Sequence, residues 1–558
     1  MRRNYRFSPW LIFLGLFLFL AIKLVERQCF PDPRVLQQSQ QQYWRRVPVR
    51  SSRGIIQDCK EHALVIPEVS SSFAINPQFV TPSDIEVLQT VFPEDIVNRI
   101  RAPGKNQFVW LKRQTSQEEA EKIEALGLES IYKVEEQIRS YPNKNLMAHV
   151  LGFCNIDNYG QTGIEQFWNS ILFDPPGYRI LIRQPGATSL SLMKEEIERK
   201  HVTPVVTLTV DSRIQYVLEK HLENISLENK AKWGAAVCMN PRTGEVLAMS
   251  SWPFFDPSDR RARPAAAVVN NAVSRNYEPG STFKPILMGI ALEEGLVRKN
   301  ELFVCPARLK VADGYVAEAY PKAMGNIDTA NVLIKSSNVG MAQIGIRAEK
   351  VRMYETLRAW GFGRRSDIEL PGVGRGLMAS PGQWRGVVPA NIAIGQGLAM
   401  TPLQLATAMA AVVNGGKLMS PYIVKKAVNS VGEVVYEGAP RLLREVLTPE
   451  TSQWLRTTMR RVVTEGTGKN ANTSVTSLGG KTGTAQVAEA GKYSKSRYVA
   501  SFIGFWPFES PRYLMLIVVG EPSKGRYYGG ELVAPTFRRI VEEMAELEYL
   551  TPEKKGTL

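Results

Sequence analysis

Tyr277-Glu278-Pro279-Gly280-Ser281-Thr282-Phe283-Lys284-Pro285 is the stretch on which the reading of this 558-residue chain turns. Pro279-Gly280 marks a turn, and Phe283, Ile286, Leu287 and Ile290 follow it at helical spacing. Proline is tolerated only in the first turn of a helix, so Pro285 predicts a helix that opens near Ser281 or Thr282. The Ser281 hydroxyl then sits at a helix mouth, where backbone N–H groups and the dipole favour negative charge. Lys284, three residues on, shares its face and can reach the hydroxyl. That geometry suits acyl transfer through an oxyanion. The spacing alone is weak: Ser191-Leu192-Met193-Lys194 repeats it in a charged segment with no such setting.

A serine hydroxyl needs a base, and His62, His149, His201 and His221 all lie elsewhere in the sequence. The base must be Lys284 or act through it. An unperturbed lysine has a pKa of ~10.4, so about one in 2,500 is neutral at pH 7. Burial and a second cation nearby would lower that value. Lys481, in Gly479-Gly480-Lys481-Thr482-Gly483-Thr484, is the candidate cation and would also attract a substrate carboxylate. Gly483 would let a substrate backbone approach the strand. Ser336-Ser337-Asn338 supplies a hydroxyl and an amide to relay a proton and hold the lysine. Each segment alone reads as a cap or a turn. The ordered set, with Asn338 57 residues and Lys481 200 residues beyond Ser281, is specific.

Composition bounds the rest. Hydrophobic residues make up 44% and charged residues 22%, ordinary for a globular protein of roughly three to four domains. The formal charge of +15 suits an anionic partner. No HExxH, CxxC, zinc-finger or basic-zipper spacing occurs, so no metal, no cofactor and no nucleic acid is expected. Cys29, Cys59, Cys154, Cys238 and Cys305 are too few and too scattered for a disulfide scaffold. A Cys59–Cys154 pair stays open beside single buried thiols.

Arg2, Arg3 and Arg6 precede an apolar run from Trp10 to Ile22. No small-residue cleavage site follows, so an uncleaved single-pass anchor over 8–25 is expected, with residues 1–7 in the cytoplasm. No second run returns the chain, which places the bulk on the extracytoplasmic side of the membrane. Residues 37–53 read as a basic stalk, and 54–203 as one α+β domain with a capped helix at 116–126. A boundary falls at 202–211. Beyond it come a helix at 214–222, a hairpin at 233–252, helical sequence, and late strands at 498–505 and 513–520. Strands at both ends of one large domain predict a sheet closed by those ends.

At these residues the chain resembles a class B penicillin-binding protein, a D,D-transpeptidase of peptidoglycan; the three motifs are that family's signature. Arg53-Gly54-Ile55-Ile56-Gln57-Asp58, Arg139-Ser140-Tyr141-Pro142 and Gly163-Ile164-Glu165 are similar to its membrane-proximal pedestal domain. Gly395-Gln396-Gly397 and 234–250 resemble segments flanking its site. Tyr277-Glu278-Pro279-Gly280 and Tyr527-Tyr528-Gly529-Gly530 look more like the septal, cell-division type than the elongation type. After Asp58 the family continues Arg-Asn-Gly; here Cys59-Lys60-Glu61 stands instead.

The resemblance implies an α+β fold: an anchor helix, an elongated pedestal of the dimerisation type at 26–203, and a transpeptidase domain at 204–548 with an antiparallel sheet flanked by helices. Residues 549–558 form a tail. It implies Ser281 as acylated nucleophile, Lys284 as base, Ser336 and Asn338 as the second motif with Ser337 beside them, and Lys481, Thr482, Gly483 and Thr484 as substrate contacts. The backbone N–H groups of Ser281 and Thr484 would form the oxyanion hole. Implied partners are stem peptides, lipid-linked precursor glycan, β-lactams, and a SEDS-type glycan polymerase with other division proteins, at a periplasmic site on the cytoplasmic membrane. The alternatives are an elongation-type enzyme, a D,D-carboxypeptidase, a β-lactam hydrolase, and an anchored scaffold of wall synthesis.

Overall fold

The two ends of the catalytic half of the chain meet in one sheet. A computed structural model describes residues 9–29, 44–48, 53–101, 108–173, 178–183, 190–195, 202–260, 263–320, 322–489 and 492–550. They fall into two compact units, 1–52 with 175–201 and 53–174 with 202–558. The expected cytoplasmic tail, most of the stalk and the last eight residues lie outside the described residues.

In the first unit, Pro9–Cys29 is a helix of 21 residues. Its described apolar side chains are exposed all round, from 55% at Val25 to 81% at Trp10. Counted over the described residues, no helix is long and apolar enough to cross a membrane. Strand Trp44–Pro48 pairs with Tyr178–Arg183, which pairs with Leu190–Glu195. The second Ser-x-x-K thus falls on a strand and not at the mouth of a helix.

In the second unit an antiparallel sheet runs in the order Val246–Trp252, Trp233–Met239, Tyr513–Gly520, Lys492–Trp506, Gly479–Glu489. The hairpin at 233–252 and the late strands stand as expected. Trp233–Met239 is buried at every residue, because helices cover both faces. Ser212–Glu228 and Ala534–Leu550 pack on one face through Leu218, Leu222, Phe537 and Val541. Lys284–Glu293 and Pro402–Val413 pack on the other. All of Pro402–Val413 is buried, which its apolar, alanine-rich sequence permits. Gly479–Glu489 ends the sheet and presents a free edge.

A second sheet joins the two sequence halves. Val205–Leu208 pairs in parallel with Ile55–Gln57 and antiparallel with Val424–Val428, so the strands run across the expected boundary at 203/204. Ile55–Gln57 pairs with Ala63–Ile75, and that strand pairs with Ile131–Ser140. Helix Gln117–Glu124 starts as its sequence indicates: Ser116 and Glu119 form a reciprocal capping box. Arg53 and Arg139 both hold the fully buried Glu165, and Arg139 Nη1 also donates to Gly54 O at 2.7 Å. Cys59, Cys154, Cys238 and Cys305 are free thiols, so Cys59 and Cys154 do not pair.

Candidate active site

The nucleophile turn is built on glycine. Gly280, at φ +57°, donates its N–H to Gly395 O at 3.0 Å, and Thr282 Oγ1 donates to Pro279 O at 2.8 Å. A Cβ on Gly395 would stand 2.1 Å from Gly280 O, so only glycine fits. The α-helix itself begins at Lys284, later than the sequence indicates. Gly280–Phe283 forms a tighter 3-10 turn ahead of it, with Pro285 in the first helical turn. Ser281 projects from that turn into a cavity of about 400 Å³, which Ser336, Asn338, Thr482 and Thr484 also line. Among the described residues the Ser281 hydroxyl has no hydrogen-bond partner.

Lys284 is fully buried. Its Nζ donates to Ser336 O at 2.7 Å and Asn338 Oδ1 at 2.7 Å, with Ser336 Oγ at 3.4 Å. Burial lowers its pKa from 10.5 to about 7, and the Glu318 carboxylate pulls the other way. Lys481, also fully buried, donates to Ser336 Oγ at 2.8 Å and Thr482 O at 3.1 Å. Burial, and then Lys284, hold it well below its ordinary value. Two ammonium groups around one buried hydroxyl oppose each other's charge, and burial disfavours the charged form of both. Lys481 has no exposed surface. Thr482 Oγ1 and Thr467 Oγ1, 2.9 Å apart, stand on the cavity wall.

Ser336 bridges the two lysines at φ +59°, a left-handed conformation that costs about 1–2 kcal/mol. Ser337 does not line the cavity. Its buried hydroxyl caps helix Asn338–Gly345, accepting Gly340 N–H at 2.9 Å and donating to Glu318 Oε1 at 2.5 Å. The Glu318 carboxylate also accepts Asn338 N–H at 2.7 Å and Val339 N–H at 3.3 Å, and so fixes the second motif from behind. Gly483 is also required by packing: a Cβ there would stand 2.4 Å from Ser501 Oγ and 2.8 Å from Thr282 Cγ2. Glu318, Thr467 and Asn470 carry no motif of their own, and sequence reasoning missed them. Tyr528 stacks on Tyr320 along the same cavity, with centroids 5.5 Å apart.

Comparison with known proteins agrees with this arrangement. Residues 48–199 match the penicillin-binding protein dimerisation domain, and residues 234–542, over half the chain, match the penicillin binding protein transpeptidase domain. The chain belongs to the class B penicillin-binding proteins. It is 35% identical to stage V sporulation protein D of Bacillus subtilis over 79% of this chain and 69% of that protein. It is 30% identical to peptidoglycan D,D-transpeptidase FtsI of Escherichia coli over 82% of this chain and 76% of that one. The crystal structure of penicillin binding protein 3 from Mycobacterium tuberculosis, complexed with ampicillin, superposes with a TM-score of 0.70 at 26% identity, covering 92% of this chain and 98% of that one. Among the described residues of this penicillin-binding protein, no cluster of side chains could hold a metal ion.

Proposed function

We propose that the protein is a serine peptidoglycan D,D-transpeptidase that works through an acyl-enzyme at Ser281 and binds β-lactams covalently. The observation that carries this is the hydrogen-bonded chain Asn338–Lys284–Ser336–Lys481 beside an open serine hydroxyl. Ser281 Oγ attacks the penultimate D-alanyl carbonyl of a stem peptide, and neutral Lys284 takes its proton. The oxyanion lies against the N–H groups of Ser281 and Thr484. The C–N bond breaks, the D-alanine nitrogen takes a proton through Ser336, and D-alanine leaves. An amine of a second stem then attacks the ester, and its surplus proton returns to Ser281. Asn338 holds Lys284, and Thr482 with Thr467 receives the terminal carboxylate. The terminal carboxylate and strained amide of a β-lactam copy the D-alanyl terminus.

The chain divides into a pedestal over 26–203 and a transpeptidase domain over 204–548, a reading supported by the family matches at 48–199 and 234–542. Helix Pro9–Cys29, whose described side chains are apolar up to Ile22 and which carries an exposed Lys23–Glu26 pair towards its end, serves as a single-pass anchor with its N-terminus in the cytoplasm. The catalytic domain then faces the periplasm, with lipid-linked glycan as co-substrate and a SEDS-type polymerase as partner. The septal role rests on Tyr277-Glu278-Pro279-Gly280 and Tyr527-Tyr528-Gly529-Gly530. Purified protein given a stem pentapeptide and an amine acceptor should release D-alanine with cross-linked dimer, and Ser281→Ala should release none. D-alanine without dimer would make it a carboxypeptidase.

A further inference from the structure

Acyl transfer needs a second substrate, and a second groove opens beside the catalytic cavity. Its volume is about 460 Å³, and it lies among the end of helix Ser212–Glu228, the loop 521–528 and the start of helix Ala534–Leu550. Glu531 lines both the groove and the catalytic cavity. The loop is fastened at both ends. Ser523 N–H donates to Asn229 O at 3.0 Å, and Gly529 N–H donates to Thr484 Oγ1 at 3.0 Å, beside the nucleophile.

Lys524, Arg526 and Arg539 line this groove, and among the described residues none of them has an ion pair or a side-chain hydrogen bond. Thr536 lines it too. That residue is only 6% exposed, yet its hydroxyl has no partner among the described residues. Its hydroxyl oxygen is not among the fully buried, unpartnered atoms and so opens onto the groove. The groove thus carries three cations and two carboxylates, Glu228 at the end of helix Ser212–Glu228 and Glu531 at the lip shared with the catalytic cavity.

We propose that this groove is the acceptor subsite, holding the second stem peptide with its free carboxylates on Lys524, Arg526 and Arg539 and its side-chain ammonium against Glu531. A transpeptidase acceptor must carry an amine, and an uncapped stem also carries carboxylates, so charges of both signs are matched. The ammonium sheds one proton to Glu531 and thence to water. The neutral amine forms the new C–N bond at the Ser281 ester, the C–Oγ bond breaks, and the amine's surplus proton passes to Ser281 Oγ through Lys284. This rests on the acyl-transfer reading above.

The test supplies a stem pentapeptide donor with a tripeptide acceptor bearing a side-chain amine and free carboxylates, or with its carboxamide. The measured quantity is cross-linked product over hydrolysed donor. Wild type should favour the carboxylate acceptor by about tenfold. Lys524→Ala, Arg526→Ala and Arg539→Ala should erase that preference, with penicillin labelling of Ser281, which uses no acceptor, as the folding control. Glu531→Gln should lower transfer to both acceptors alike. A preference that survives in the cation variants, or transfer and penicillin labelling that fall together, would overturn the acceptor subsite. If the donor acylates Ser281 but wild type shows no preference, the subsite alone fails. If the donor does not acylate wild type, the transpeptidase reading fails and the subsite with it.

Discussion

Lys284 sets the pH behaviour of the site. Its base form is neutral, and burial places its pKa at about 7. The rate of Ser281 acylation by a labelled penicillin should therefore climb about tenfold per pH unit below that value and level off above it. Glu318 raises the Lys284 pKa, so Glu318→Gln should move the inflection to lower pH. That variant also weakens the cap on helix Asn338–Gly345 and should cost about 1–3 kcal/mol in a thermal melt. Stability has a related slope. Because the folded pKa lies below the unfolded value of 10.5, the native state binds fewer protons between about 7 and 10.5. Stability therefore rises with pH across that window, and Lys284→Gln should flatten the rise. The same variant should slow acylation by about 10²–10⁴-fold.

At the scale of single elements, the turn after Asp58 departs most plainly from the family. Asp58 Oδ1 accepts the N–H groups of Lys60 and His62, each at 2.9 Å, which forces the chain round. Glu61 takes φ +67° in that turn, where the family has glycine. Glu61→Gly should stabilise the protein by about 1 kcal/mol, read as a higher melting temperature with unchanged penicillin labelling. Local signals such as this were the legible ones. Ser116 with Glu119 marks its helix start because a capping box closes within four residues. The serine turn was legible for the same reason, although Gly280 tightens it into a 3-10 turn before the helix begins. Glu318 was not legible. It reaches the second motif only because hairpin Arg308–Val311 with Gly314–Ala317 ends beside Ser337, and no spacing in the sequence encodes that approach. The complete burial of Lys284 and Lys481 was not legible either, because it follows from packing that no motif states.

Across the whole molecule, the five-stranded sheet could be anticipated because its strands are strongly apolar and bounded by turns. The parallel pairing of Ile55–Gln57 with Val205–Leu208 could not, since it joins two β-branched runs with nothing local to link them. Near that pairing, Glu165 holds Arg53 and Arg139 without solvent access. Removing its charge by Glu165→Gln would leave two buried guanidinium groups short of a partner and should cost about 3–5 kcal/mol. Burial opposes the Glu165 charge, but Arg139 and then Arg53 outweigh it and hold the carboxyl below its ordinary 4.5. Its contribution is therefore present above that value and lost as pH falls through the lower folded pKa, and the variant should melt with less acid sensitivity than wild type. The central claim is that one serine hydroxyl, served by buried amines, is the reacting atom of the chain. Intact-mass analysis and peptide mapping after incubation with a labelled penicillin test it most directly. One adduct per chain on the peptide containing Ser281, absent in Ser281→Ala, is the expected result; an adduct on another residue, or a wild-type chain left unlabelled, would contradict it.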